Sequence, residues 1–262
     1  MPVDMKYVSS EVSDGVAVVT LNRPEKRNAV SLAMWMQLAE TFHSLAKRSD
    51  ARVAILVGEG DHFCAGADIS EFGTVRSDPQ SVKEYDSATE AATLAIRDWP
   101  GPTIAAISGY AMGGGCGLAL ACDFRVADST AKVGISAARL GIVYSVLDTE
   151  LLYRQVGLAS AKRILFSGKP LQFEECVRIG LVDLPASDRA LLEARRLAKT
   201  LVDNAPLTIA GSKVILEAIA GGTSAARHDE IDRLIANAYA SNDYREGRAA
   251  FLEKRLPQFQ GC

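Results

Sequence analysis

Histidine is scarce, the cysteines do not pair, and no long apolar run occurs. The only histidines are His43, His62 and His228. They lie far apart, no HExxH is present, and no GxSxG elbow occurs, so the sequence marks of a zinc protease and of a serine-elbow hydrolase are absent. Cys64, Cys116, Cys122, Cys176 and Cys262 make an odd set without a CxxC pair. That usage fits reduced thiols in a cytoplasmic protein and argues against a disulfide frame or a metal site. With 29 Lys plus Arg against 32 Asp plus Glu, the net charge of -3 gives no basic excess for nucleic acid. Nothing approaches the roughly 18 apolar residues of a membrane span, and the opening MPVDMKYVSSEVSDG lacks a signal peptide's apolar stretch. What is present is ordinary globular composition: 48% hydrophobic, 23% charged, 21 Gly and 9 Pro. A chain of 28.0 kDa can bury a substantial core.

Residues 15–21, GVAVVTL, are a β-branched run that Asn22-Arg23-Pro24 ends, the pattern of a strand. Ser31 can cap a helix reaching about residue 48, because Leu32, Trp35, Leu38, Phe42 and Leu45 recur at three- and four-residue steps. Residues 52–57 and 103–108 are expected strands, with a short one at 124–127. The polar stretch 70–98 has an irregular helical pattern and reads as a mobile lid or covering helix. This alternation implies an α/β core with mainly parallel pairing. From residue 149 the pattern turns helical, with helices expected at 159–166, 173–179, 188–201, 206–219 and 228–254, divided by breaks such as Gly168-Lys169-Pro170.

Two glycine-containing turns follow strands. In His62-Phe63-Cys64-Ala65-Gly66-Ala67-Asp68-Ile69 the small residues Ala65, Gly66 and Ala67 let a ligand approach the backbone, and Asp68 suits a helix start. A plain strand-to-helix turn is the alternative. In Gly109-Tyr110-Ala111-Met112-Gly113-Gly114-Gly115-Cys116-Gly117-Leu118 three glycines before an Ala/Leu-rich helix leave backbone amides bare, a geometry suited to an anion or a developing oxyanion. No Lys-Ser/Thr follows as in a phosphate loop, and Leu118 and Leu120 stand where a dinucleotide fingerprint needs its last glycine.

Together these turns resemble the enoyl-CoA hydratase/isomerase (crotonase) superfamily. Arg23-Pro24-Glu25-Lys26-Arg27-Asn28-Ala29 is similar to its RPxxxNA signature, and FCAGADI and SGYAMGGGCGLALACDFRVA are similar to its two oxyanion-hole loops. Ala131-Lys132-Val133-Gly134, Arg154-Gln155-Val156-Gly157 and Phe251-Leu252-Glu253-Lys254-Arg255 extend the likeness over essentially the whole chain. The resemblance implies a crotonase-like spiral core of β-β-α units over 1–188, binding acyl-CoA, and a C-terminal helical trimerisation region over 189–262. It implies a homotrimer or dimer of trimers, and lyase or isomerase chemistry of fatty acid metabolism on an acyl-CoA thioester. Coenzyme A enters with the substrate, and no separate cofactor or metal is expected. By motif position the thioester oxygen would accept the N–H groups of Ala67 and Gly114. Lys26, Arg27, Ala65, Asp68 and Ile69 would contact the CoA, with Phe251 and Lys254 reaching it across a subunit boundary. Apolar stripes including Ile215, Ile219, Ile231, Leu234 and Ile235 suit such an assembly.

The resemblance breaks at the proton carriers. A hydratase of this family uses two glutamates, and their positions here are Gly117 and Ala137. Neither residue exchanges a proton, so hydration of a simple 2-enoyl-CoA by that route is expected to be absent or very weak. Glutamates returned to both positions should raise the rate if the pocket has room. An acid elsewhere in the family falls at the position of Ser145, beside Tyr144; Asp148 and Glu150 follow. Asp148 is the acid/base candidate, with a helix-terminal carboxylate as the alternative. Ser136 and Arg139 can face the acyl pocket, with a structural role as the alternative; Cys116 reads as an inert buried thiol and His62 as exposed. An atypical acyl-CoA enzyme and a catalytically silent acyl-CoA-binding protein both fit this pattern.

Overall fold

A computed structural model describes residues 7–262; the first six residues of the opening segment, read above for a signal peptide, lie outside them. Val8–Ser13 (β1) and Val16–Leu21 (β2) pair antiparallel across Asp14 and Gly15, both at positive φ (51° and 80°). That is the state a two-residue primed hairpin turn requires and an Asp-Gly pair supplies. Ser31 caps Leu32–Leu45 (α1), its hydroxyl oxygen accepting the Met34 N–H at 3.3 Å. The chain continues through Val53–Gly58 (β3), the single turn Phe72–Val75 (α2) and Pro79–Arg97 (α3). Most of the stretch read as irregular is thus a continuous 19-residue helix, started by a capping box between Asp78 and Ser81 and preceded by the short turn α2. Its inner face consists largely of small or polar side chains, Ala92, Thr93 and Ala95 beside Tyr85 and Ile96, which explains the weak apolar periodicity.

Thr103–Ile107 (β4), Tyr110–Met112 (β5), Gly114–Ala121 (α4), Phe124–Ala127 (β6) and Lys132–Gly134 (β7) follow. Next come Ala137–Leu140 (α5), Val146–Ser167 (α6), Leu171–Gln172 (β8), Phe173–Arg178 (α7) and Leu184–Pro185 (β9). One sheet has the order β1-β2-β3-β4-β6-β9, parallel from β2 onward; β5, β7 and β8 form a second. Strand alternation sends Ala54, Leu56, Ala105 and Ile107 to the face shared with α1, α3 and α4. Val53, Ile55, Ile104 and Ala106 point to the other face, covered by Ala190, Ala194 and Ala198 of Ala190–Val202 (α8). Burial on both faces is why these strands read as continuous apolar runs.

The last elements are Pro206–Ala220 (α9), His228–Ala240 (α10) and Asn242–Glu253 (α11). The single helix expected over 228–254 is two helices: Ser241 lies in extended conformation and its hydroxyl accepts the Tyr244 N–H, capping α11. No helix of the described residues is long and apolar enough to cross a membrane.

Candidate active site

One short parallel bridge holds the two glycine-containing turns side by side, and another ties the first turn to Val30. Val30 N–H donates to Gly66 O at 2.8 Å and Asp68 N–H to Val30 O at 2.9 Å. Ala67, between those partners, therefore turns its own N–H away from Val30. Cys64 N–H donates to Tyr110 O at 2.8 Å and Met112 N–H to Cys64 O at 2.9 Å, which fixes the second turn against the first. Gly113, at φ 51° and ψ -119°, bends the chain into α4 in a conformation open only to glycine. Gly114 is the first residue of α4, so its N–H has no helical acceptor. A Cβ on Gly114 would stand 3.7 Å from Ala67 N, and one on Gly66 would stand 3.6 Å from Gly114 N. The two amides are neighbours, and among the described residues neither is donated to a carbonyl or side chain.

These amides border a cavity of about 410 Å³. Tyr85, Thr89, Glu90 and Thr93 line it from α3, and Leu140 and residues 142–148 line it as well. The Trp35 indole N–H donates to Tyr85 Oη at 3.0 Å and braces α1 against α3 beneath the cavity. Asp148 lies at its wall, three residues after Ser145, which caps α6. The Ser145 hydroxyl accepts the Asp148 N–H at 3.0 Å and donates to Asp148 Oδ2 at 2.7 Å. The other carboxylate oxygen, Oδ1, would be 3.2 Å from a Cβ on Gly117, and Tyr144 Oη would be 3.4 Å from it. Tyr144 Oη donates to Gly113 O at 2.8 Å. Burial raises the Asp148 carboxyl above its ordinary value; the Ser145 hydrogen bond works against this, and the charge of Glu90 adds to it. Burial also raises the Tyr144 phenol, and pushes the Cys116 thiol up to about 12, so Cys116 carries no thiolate at neutral pH. Ala137 and Ser136 line the cavity as well, but neither brings a carboxylate.

The other residues expected around CoA separate into three groups. Ala65 and Ile69 line the cavity beside Ala67, and Ile69 is largely exposed. Asp68 is buried in a network instead: it accepts from Ser70 N at 3.1 Å and lies 2.9 Å from Lys26 Nζ and 3.0 Å from Arg23 Nη2. Burial alone would raise its carboxyl, but hydrogen bonds from Ser70, Lys26 and Arg23 outweigh that and hold it well below the usual range. Lys26 is committed to this pair while staying partly open to solvent, and Arg27 lies over the Tyr110 ring at 5.4 Å. Phe251 and Lys254 sit at the end of α11 and do not line this cavity; Phe251 is 84% exposed.

The sequence profile described as Enoyl-CoA hydratase/isomerase matches residues 11–262. The chain belongs to this family. It is 33% identical over 250 residues to a 2,3-dehydroadipyl-CoA hydratase of Escherichia coli (strain K12), covering 94% of this chain and 95% of that one. It is 34% identical over 262 residues to an (E)-benzylidenesuccinyl-CoA hydratase of Thauera aromatica, covering 97% and 99% respectively. A crystal structure of an enoyl-CoA hydratase/carnithine racemase from Magnetospirillum magneticum superposes with a TM-score of 0.92 at 34% identity, covering 99% of this chain and 97% of that one. The mixed α/β architecture is that of the crotonase fold, ending in C-terminal helices.

Sequence reading missed three charged groups that line this family member's cavity: Arg76, Asp86 and Glu90. Arg76 stacks over Phe72 and Tyr85 at 4.8 and 4.5 Å and pairs with Asp86 at 3.0 Å. Glu90 could have been found from spacing alone: Tyr85, Thr89 and Thr93 recur at four-residue steps once 79–97 is recognised as one helix, and Glu90 follows Thr89 on that face.

Proposed function

We propose that this protein is an enzyme that moves a proton at the α-carbon of an acyl-CoA thioester. The Ala67 and Gly114 amides would hold the thioester oxygen, and Asp148 would carry the proton. Two converging backbone donors stabilise the negative charge that reaches the oxygen when the α-proton leaves, commonly by a few kcal/mol each. Asp148 would take that proton as carboxylate and return it as acid. The observation that carries this reading is the position of Asp148 Oδ1, 3.2 Å from the Cβ that Gly117 lacks. The carboxylate arrives from α6 in space that a side chain on α4 would otherwise fill. Burial, which raises its proton affinity, suits a group that must be both base and acid near neutral pH.

In the same proposal Lys26, Arg27, Ala65 and Ile69 face the CoA portion, Asp68 positions Lys26, and Phe251 and Lys254 approach the CoA of a neighbouring protomer. The assembly is a trimer or dimer of trimers, and the protein works in the cytoplasm. Incubation of wild-type protein with butyryl-CoA in deuterated water should wash deuterium into the α-position, followed by NMR. Asp148→Asn should slow this at least a hundredfold. Tight thioester binding without wash-in by the wild type would make the protein an acyl-CoA binder and defeat the enzyme reading.

A further inference from the structure

The Gly113 carbonyl accepts two hydrogen bonds. One is the first helical bond of α4, from Gly117 N–H at 3.1 Å; the other comes from a side chain, Tyr144 Oη, at 2.8 Å. That carbonyl and the Gly114 N–H belong to one planar trans peptide unit, so they turn together and point in opposite directions. Gly113, at φ 51° and ψ -119°, has no Cβ to restrict the rotation of this unit, so its direction is set by the partners of the carbonyl. The Gly113 N–H donates to Gly134 O at 2.8 Å and anchors the other side of the residue. The second amide of the pair is built differently. Ala67 N–H shares its peptide with the Gly66 carbonyl, which accepts the Val30 N–H at 2.8 Å and, weakly, the Cys64 thiol at 3.9 Å. Among the described residues a hydroxyl donates to only one of these two carbonyls. Tyr144 stands between α5 and α6, packs against the core and lines the cavity. Burial, aided by the charge of Asp148, raises its phenol well above the ordinary value, so it stays a donor at neutral pH.

We propose that Tyr144 is a positioning residue of the oxyanion site: its hydroxyl, acting through the Gly113 carbonyl, aims and strengthens the Gly114 N–H that faces the thioester oxygen. The inference rests on the reading of the two amides given above and adds a residue that acts without touching the reacting atoms. A donor on a peptide oxygen draws electron density from the nitrogen of the same unit. The N–H then donates more strongly, by about 10–30% per bond in a chain. This gain grows with the negative charge on the acceptor, so it is larger for the enolate oxygen than for the resting thioester carbonyl. Tyr144 therefore favours the charged state over bound substrate, which is the difference that speeds a reaction. A tyrosine that merely tied the loop before α6 to the glycine turn would leave the strength of that N–H unchanged.

The test reads the amide itself. Butyryl-CoA labelled with carbon-13 at the thioester carbonyl is bound, and its carbonyl stretch is recorded by isotope-edited infrared spectroscopy. Donation from Ala67 and Gly114 should lower the band from its position in water. Tyr144→Phe, which keeps the ring and leaves Gly113 O its bond from Gly117, should return the band by about a tenth to a third of that displacement. It should slow α-proton exchange about tenfold, less than the roughly hundred- to thousandfold cost of deleting an oxyanion donor outright, with butyryl-CoA affinity within about threefold. Asp148→Asn should suppress exchange yet leave the band at its wild-type position. Tyr144→fluorotyrosine, a stronger donor, should move the band further from the solution value, and it decides the matter if Tyr144→Phe does not fold. A wild-type band at the solution position would defeat the reading of the amides itself. A displaced band that neither Tyr144 variant moves would overturn the role of Tyr144 and leave the amides standing, as would loss of exchange in Tyr144→Phe without a band shift.

Discussion

The Cβ that Gly117 lacks would stand 3.2 Å from Asp148 Oδ1 and 3.4 Å from Tyr144 Oη, so any side chain there competes with the proposed proton carrier for space. Gly117→Ala should preserve or improve stability, since alanine favours a helix interior over glycine by up to about 1 kcal/mol. It should nevertheless lower α-proton exchange about tenfold, because a carboxylate displaced by a few tenths of an ångström loses alignment. Paired melting curves and deuterium wash-in check this; unchanged exchange would remove Asp148 from the reaction. The same crowding means that glutamate at 117 has no room unless Asp148 moves, so Gly117→Glu should not raise the rate. Asp68 makes a different claim, on stability. With the carboxyl buried between Arg23 and Lys26, Asp68→Ala should cost about 3–5 kcal/mol, as for breaking a buried pair from one side. Its folded pKa is depressed, so the stabilisation is fully present above the unfolded value of about 3.9 and is lost as pH falls from there through the folded pKa. Denaturation of both proteins from pH 7 to 3 should show the gap narrowing only below about pH 4; a gap constant across that range would deny the network its charge.

At the scale of elements, α6 carries the sharpest local constraint. Its helical turns run from Val146 to Ser167, but Gly157 sits inside at φ 72° and ψ 169°, where the helix breaks. A Cβ there would meet nothing within 4 Å, so Gly157→Ala isolates backbone strain from steric clash. The expected cost is about 1–3 kcal/mol, read as a Tm several degrees lower; an unchanged Tm would mean that alanine tolerates this bend. Such breaks mark the boundary of what sequence shows. The Ser31 cap, the parallel strands and the glycine turn before α4 were legible because each is announced by adjacent residues. Strand β1 was not, since VSSEVS offers little apolar signal until β2 is paired with it. Nor was the fit of Asp148 over Gly117, a contact made across 31 residues by the folding of α4 against α6. The motif at 154–157 points to this region by resemblance, yet only the structure gives Gln155 its place, bonded to Gly180 O and within reach of Arg125 and Asp183.

The whole molecule leaves one large apolar surface uncovered. Helix α8 is committed to the sheet through its alanines, but α9, α10 and α11 pack mainly on one another and enclose a groove of about 840 Å³. Among its lining residues Phe251 is 84% exposed, Leu252 71% and Tyr239 65%. An exposed apolar surface of this kind is characteristic of a protein interface, and the proposed trimer or dimer of trimers would cover it. Light scattering at micromolar concentration should therefore give three or six times the 28.0 kDa chain mass. Replacing both Phe251 and Leu252 by Glu places two charges where neighbours must desolvate them, and should shift the mass toward a single chain. If Phe251 and Lys254 also reach a neighbour's CoA, the dissociated variant should bind butyryl-CoA at least tenfold more weakly while keeping its helical circular dichroism. A single-chain mass for the wild type would overturn the assembly. A double variant that dissociates yet binds the thioester with wild-type affinity would confine the whole CoA site to one protomer.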